Sequence, residues 1–335
     1  MNSIKNSKSL FIVSSPFQAV CAVEAVHEYR IQNPVFIILL GSQSGQNSNT
    51  LKILHSNNFK NTYEIFYSSF FDIFFRSNKY ISNHRLNQGS YDIVFVGDYL
   101  NPVQRFFSTK FLLFKNKIIF LDDGNATIEV FKWGNIPTKI RSLNVFIKTT
   151  LSDIVFLLNK KRPIEYFTIF NYQSSKYKIK INNLNYLKSK ISVRAKKGVY
   201  ILGSNIYNKN LLSYYHYEMQ FEEIINHVRD NYPAEPIYYC YHRGEPDEFV
   251  ELLTSKYNIQ KYLSDFTIEI DMVQKKIYPK AIYSFGSTAS YSLKIIYPNI
   301  NSYSILLRTN SKSLNKIYKL INEVYSDNGI QIFNL

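Results

Sequence analysis

The chain is poor in the residues that build disulfide frameworks and metal centres. Of its 335 residues only two are cysteine, three methionine, one tryptophan and eleven glycine. Cys21 and Cys240 lie far apart in apolar contexts, with no CxxC or Cys/His spacing. They read as reduced core thiols in a reducing compartment and argue against a structural zinc site. No apolar stretch approaches the ~20 residues that span a bilayer. The nearest, Leu151 to Leu158, reads as core. Residues 1–9 are mostly polar and the apolar run 10–13 is far too short for a signal-peptide core, so no leader is expected. Walker GxxxxGK[ST], GxGxxG, HExxH and GxSxG patterns are all missing. Acidic residues are in deficit too: 25 Asp and Glu against 40 Lys and Arg leave a formal charge of +15. Such an excess favours anionic partners: nucleic acid, anionic lipid or a negatively charged substrate.

What is present is a large apolar fraction, 45%, with 28 tyrosines and 25 phenylalanines. That suffices for a sizeable core, and the length fits one large or two ordinary α/β domains. Short apolar strands alternate with segments of helical period. Leu10–Val13, Val35–Leu40, Asn61–Tyr67, Tyr91–Val96 and Ile118–Leu121 read as strands. Pro16–Tyr29, Thr50–Ser56 and Pro102–Leu112 read as helices, and Gly41–Asn49 as a polar loop. Residues Phe170 to Lys197 lack a clear period and are rich in Asn, Lys, Ser and Tyr, which marks a boundary. The alternation then restarts, with strands at Gly198–Leu202, Pro236–Tyr241, Lys280–Phe285 and Ser302–Leu307. Helices fall at Tyr217–Asp230, Pro246–Lys256, from Ser287 onward, and near Lys312–Tyr325. Repeated strand-to-helix switching predicts parallel sheets with crossover helices. The expected architecture is α/β: two Rossmann-like domains, residues 1–190 and 191–335, facing across a cleft.

Chemistry collects at strand ends, where open α/β sheets bind ligands. One apolar run ends in Asp122-Asp123-Gly124. Adjacent side chains on a strand point to opposite faces, so the two aspartates do not share one metal ion, and a single carboxylate acting as general base fits better. The simpler reading is a strand followed by an Asx turn. A second strand ends in His242-Arg243-Gly244-Glu245. Arg243 supplies a fixed positive charge for a phosphate or carboxylate, and Glu245 a carboxylate to bind a ribose or hold His242. The plain alternatives are a structural histidine and a first-turn helix charge. A third strand ends at Gly286 and opens a helix with Ser287, Thr288 and Ser290. A helix N-terminus binds anions through its N–H groups, and hydroxyls add donors, although Ser and Thr are also ordinary caps. Gly203-Ser204-Asn205, after another strand, is a weaker candidate for base or phosphate contact. Glu269 is a second ribose candidate on an apparently alternating strand, Phe266 to Ile270. The densest basic segment carries Lys176, Lys178, Lys180, Lys188, Lys190, Arg194, Lys196 and Lys197. It reads as a solvated linker or as a surface for an anionic membrane.

In their order along the chain these segments resemble the motifs of bacterial sialyltransferases. Ser14-Ser15-Pro16-Phe17-Gln18 resembles the N-terminal Ser/Thr-Pro-Leu-Gln element, and Asp122-Asp123-Gly124 the Asp/Glu-Asp/Glu-Gly motif. Tyr241-His242-Arg243 resembles the His-Pro motif and Gly286-Ser287-Thr288-Ala289-Ser290 the Ser/Thr-rich motif. Glycosyltransferase family 52 is the group most resembled, with the bacterial polysialyltransferases as relatives. The resemblance implies a GT-B-type fold and inverting transfer of a nonulosonic acid from its cytidine monophosphate (CMP) donor. It implies no metal and no cofactor. It makes Asp123 the general base, has His242 stabilise or protonate the departing phosphate, and gives Ser287 and Thr288 the phosphate to hold. Ser15, Pro16, Gln18, Asp122 and Gly124 join the substrate-binding set. Arg243 stands where the motif has proline.

The expected protein is a cytoplasmic-side glycosyltransferase acting on a bacterial surface glycan such as lipooligosaccharide or capsule. Its expected partners are a CMP-sugar donor, a glycan acceptor and, at its periphery, an anionic membrane. An alternative within the same fold is a transferase using a nucleotide hexose. A basic nucleic-acid-binding protein is the non-enzyme alternative. It is disfavoured because the aromatic residues fall inside apolar strands and are not interleaved with arginines, so no nucleic-acid partner is expected.

Overall fold

The structure is a computed structural model that describes residues 7–42, 44–84, 86, 91–98, 100–112, 117–133, 164–173, 177–192, 197–204, 206, 212–307, 309 and 311–334. The chain divides into two compact units, Met1–Tyr186 and Leu187–Leu335, where the sequence pattern puts the boundary at 190/191.

The first unit is a seven-stranded parallel sheet. Its strands are β1 (Ser9–Val13), β2 (Val35–Leu40), β3 (Asn61–Phe66), β4 (Ile93–Val96), β5 (Lys117–Phe120), β6 (Glu165–Thr168) and β7 (Lys178–Ile181), in the order β3-β2-β1-β4-β5-β6-β7. The run Ser-Leu-Phe-Ile-Val of β1 is buried at every position, as a central strand covered on both faces requires. Leu10 pairs with Val35 on one side and Val94 on the other, so the strand order reverses at β1. Helix α1 (Pro16–Glu28) starts at once after β1. Ser15 caps it by accepting from the Gln18 amide, and Pro16 occupies the first turn, where a missing N–H costs nothing. The other helices here are α2 (Ser44–Ser56), α3 (Phe70–Asn83), α4 (Pro102–Thr109) and α5 (Asn125–Trp133), while α6 (Asn185–Ser189) spans the boundary between the units.

The second unit repeats the plan with six parallel strands. These are β8 (Val199–Leu202), β9 (Ile237–Cys240), β10 (Gln260–Lys261), β11 (Ala281–Ser284), β12 (Asn301–Ile305) and β13 (Gln331–Phe333), in the order β10-β9-β8-β11-β12-β13. The reversal falls at β8, which pairs with β9 and β11. Helices α7 (Tyr214–Asn231), α8 (Asp247–Tyr257), α9 (Ile268–Gln274), α10 (Thr288–Ile296) and α11 (Lys312–Ser326) connect the strands. Tyr217, Phe221, Tyr239, Phe249 and Phe285 pack into the core. The abundant tyrosines are therefore largely interior residues.

Several expectations are corrected. The expected polar loop after Gly41 is helical from Ser44, and α3, α5, β6 and β13 were not anticipated. Strand β7 and helix α6 lie inside the stretch taken as an aperiodic boundary. The lysines there are partly neutralised, since Lys180 pairs with Glu28 at 2.9 Å and Lys178 approaches Glu165. Glu269 sits in the first turn of α9 and not on a strand, because Asp271 accepts from the Asp265 and Phe266 amides and turns the chain. Leu151 to Leu158 and Asn205 lie outside the described residues.

Candidate active site

At the reversal in the first unit, the loops after β1, β4 and β5 meet over the carboxyl edge of the sheet, the place where such sheets take ligands. Strand β5 stops at Phe120, and Leu121 donates to Val96 O before the chain turns through Gly124 at φ +69°. A positive φ is where glycine is favoured. The two aspartates diverge as their alternation predicts. Asp122 is fully buried and accepts from Thr168 Oγ1 at 2.7 Å and from the Ile169 amide at 2.5 Å. Its observed work is internal: it ties the end of β5 to the end of β6. Burial pushes its carboxyl up to about 7, against the pull of those donors.

Asp123 is half-buried and faces the loop after β1. Its Oδ1 accepts from Gln18 Nε2 at 2.7 Å and from Ser15 Oγ at 3.2 Å. Gln18 is held in turn by the Ser14 amide and by Gln104 Nε2, at 2.8 and 2.9 Å. Gln104 stands in the first turn of α4, whose start Asn101 caps, and it also accepts from the Asp98 amide at 2.8 Å. Gly97 makes room for this, because a Cβ there would collide with Gln18 Oε1 and stand 2.9 Å from Gln104 Oε1. Asp98, half-buried at the end of β4, has its carboxyl pushed up to about 7, by burial first and by the neighbouring Asp123 second.

In the second unit the corresponding edge carries Gly203, Ser204, His242, Arg243, Glu245, Gly286, Ser287 and Thr288. Glu245 is buried and accepts from Tyr239 Oη at 2.6 Å, Tyr217 Oη at 3.3 Å and the His242 amide at 2.5 Å. Burial pushes its carboxyl up to about 7, with the Ser204 amide among the donors that oppose the rise. Glu245 therefore fastens the loops after β8 and β9, the second of the two roles the sequence allowed it. It holds His242 through the backbone, not the ring. The ring's Nδ1 accepts from the Gly244 amide at 3.0 Å, which places the proton of the neutral ring on Nε2. Arg243 is exposed.

Gly286, at φ +66°, turns the chain into α10, and Ser287 caps that helix by accepting from the Ala289 amide. Thr288 is half-buried in the first turn, while Ser290 is fully buried and donates to Ser287 O. Glu269 is buried and accepts from Ser292 Oγ at 2.6 Å, so α9 and α10 are bound to one another behind that helix start.

The structure thus brings Ser15, Gln18 and Asp123 together in one unit. In the other it gathers the Gly203–Ser204, His242–Glu245 and Gly286–Thr288 segments on one sheet edge. Pro16, Asp122, Glu269 and Ser290 have internal jobs. Sequence reasoning passed over Asp98, Gln104 and the tyrosine pair Tyr217 and Tyr239. Asp98 alone carried a signal, as a carboxylate after a strand and a glycine. Among the described residues no group of three or more His, Cys, Asp or Glu side chains has the arrangement of a metal site.

No protein-family model matches the chain, and no curated protein matches it in sequence. Solved structures do. One is an α/β-galactoside α-2,3-sialyltransferase from the luminous marine bacterium Photobacterium phosphoreum, 13% identical, with 98% of this chain and 99% of that chain covered at a TM-score of 0.55. Another is a UDP-GlcNAc 2-epimerase from Neisseria meningitidis bound to UDP-GlcNAc, 12% identical, covering 96% and 90% at 0.51. A third is an Arabidopsis thaliana UGT complexed with UDP-L-rhamnose, 10% identical, covering 98% and 86% at 0.52. The fold is that of the GT-B class: two parallel-sheet α/β domains, with a bacterial sialyltransferase among the structures that share it.

Proposed function

We propose that this protein is an inverting, metal-independent glycosyltransferase. In this reading it moves sialic acid or a related nonulosonic acid from a CMP donor to a bacterial surface glycan such as lipooligosaccharide or capsule. The observation that carries the reading is the Asp123 carboxylate, held at the reversal of the first sheet by Ser15 and Gln18. Those residues belong to the first two motifs of the sialyltransferase resemblance, and they are 105 and more positions apart in sequence.

In the reaction the acceptor hydroxyl loses its proton to Asp123 as its oxygen bonds to the anomeric carbon. The bond from that carbon to the phosphate oxygen breaks, and CMP departs with the electron pair. The Nε2–H of His242 donates to the leaving phosphate. The α10 start, with Ser287 and Thr288, offers it the positive end of a helix dipole. Arg243 and Ser204 remain donor-binding assignments of this reading. The absence of a metal requirement is supported by the divergence of Asp122 and Asp123, since Asp122 is spent on Thr168 and Ile169. Peripheral contact with an anionic membrane on the cytoplasmic side belongs to the same reading, supported by the net charge of +15. No helix among the described residues is long and apolar enough to cross a membrane.

A nucleotide-hexose donor is the second reading, favoured by neighbours of the same fold that hold UDP-GlcNAc and UDP-L-rhamnose. Thermal unfolding with CMP, UMP, UDP and GDP separates the two. A nucleotide at 100 times its dissociation constant adds ~2.7 kcal/mol. Stabilisation by CMP above the others is expected; stabilisation by UDP alone rejects the CMP donor in favour of the hexose reading.

A further inference from the structure

Resting on the assignment of Asp123 as the base, we propose that Gln104 is a positioning residue for it. With Gln18 it forms a one-way chain of two side-chain amides that aims an N–H at the Asp123 carboxylate.

The oxygen and nitrogen of an amide have the same shape, so the direction of such a chain must come from its surroundings. Here two backbone N–H groups, which can only donate, set it. The Asp98 amide meets the Gln104 side chain at 2.8 Å, so that end of Gln104 is its oxygen. Its Nε2 is then directed to Ser14 Oγ at 2.5 Å and Gln18 at 2.9 Å. The Ser14 amide meets Gln18 at 2.8 Å, so the Gln18 atom facing Ser14 and Gln104 is its oxygen as well. That leaves Gln18 Nε2 to face Asp123 Oδ1 at 2.7 Å. Gln104 is 0% exposed and Gln18 2%. In so dry a place a reversed amide sets oxygen against oxygen and leaves buried groups unsatisfied. The ends of β1 and β4 therefore dictate, through two glutamines, which atom reaches the carboxylate on the end of β5.

An N–H directed at a carboxylate favours its charged form and fixes which oxygen is occupied. Both serve a general base, which must be ionised and correctly presented before it can take a proton. Among the described residues, Asp122, next in the chain, and Asp98 are titratable groups that interact with Asp123. Arg105 lies beside Asp98 and draws its carboxyl down.

The test is the titration of Asp123 itself, followed by carboxyl-carbon NMR in protein labelled at aspartate, with Asp123→Asn identifying the signal. Gln18→Met removes the donor, and the Asp123 midpoint should rise by about one pH unit. Gln104→Met, which does not touch Asp123, should raise it by about half as much. The double variant should rise no further than Gln18→Met alone, because Gln104 acts only through Gln18. A midpoint unmoved in Gln104→Met, or shifts that add in the double variant, overturns the proposal. Should Gln104→Met fail to fold, Gln104→Glu keeps an acceptor for the Asp98 amide and repels the Gln18 oxygen. An unchanged midpoint there overturns the proposal equally. The base assignment has its own readout: the acid limb of kcat should follow the shifted midpoint. A shifted titration with an unmoved rate profile upholds the amide chain and rejects Asp123 as the base.

Discussion

In the first unit the order of strands reverses at β1, between β2 and β4. In the second it reverses at β8, between β9 and β11. Both reversals open on the carboxyl ends of parallel strands, both carry a carboxylate, and at both a glycine is crowded by side chains, Gly97 by Gln18 and Gln104 and Gly203 by Glu245 and Tyr239. The two carboxylates fare differently. Asp123 is held through Oδ1 by a serine and a glutamine and is half-buried. Glu245 is enclosed by two tyrosine hydroxyls and the His242 amide. In the proposed function the work at that edge passes instead to an imidazole, an exposed arginine and a helix start, all suited to negative charge. On that reading one scaffold thus presents a proton acceptor in one unit and an anion cradle in the other.

The sharpest way to break this contrast is to remove the proton acceptor. Asp123→Asn should leave folding and nucleotide binding intact while turnover falls ~100-fold or more, the scale of general-base catalysis. Steady-state rates beside CMP binding decide it, and near-normal turnover moves the base elsewhere. The next effect contrasts the two glycines. Gly203→Ala drives a methyl into Glu245 Oε2 and to 2.7 Å from Tyr239 Oη, so it should cost about 1–3 kcal/mol of stability, read by chemical denaturation. Gly97→Ala instead meets the Gln18 and Gln104 amides that lead to Asp123. It should reduce turnover more than it reduces stability. Equal stability losses with no loss of rate in Gly97→Ala would erase the distinction between a site and a fastening.

The smallest effect concerns pH. Glu245 and Asp122 have ordinary values of 4.5 and 3.8, and burial raises each to about 7. The folded chain therefore holds these protons more tightly than the unfolded chain does. The stabilising contribution is full below about pH 4 and is lost as pH rises through 7. Between pH 5 and 8 each should lower the stability of the folded chain. Glu245→Gln and Asp122→Asn should each flatten the unfolding profile on the alkaline side. A profile that steepens in either variant contradicts the assignment.

The alternation of strands and helices was legible in the sequence because runs such as Val35–Leu40 are apolar at every position, the mark of a strand covered on both faces. Helix α5 was not legible, since its start is set by the turn at Gly124 and by Thr127 reaching back to the Asp123 amide, contacts no local pattern announces. Glu269 misled for a similar reason: Phe266 to Ile270 alternates like a strand, and only Asp271 capping that turn makes it helical. Among site residues, Asp123, Gln18 and Ser15 were found because they lie in short ordered motifs. Gln104 was invisible, since its partners Ser14, Gln18 and Asp98 lie on other elements and a buried glutamine carries no spacing of its own.

The placement of β1 also bears on how the molecule comes into being. Its Leu10 lies between Val35 and Val94, so β1 keeps one edge open until residues 93–96 have been made. Strand β8 waits likewise for β11, with Val199 paired to Ala281. Pairings between such distant segments close slowly, and an edge left unpaired in the meantime is open to other chains. Nascent or refolding chains of this protein are therefore most exposed to aggregation before β4 and β11 arrive, and slower elongation past those two strands lengthens that interval.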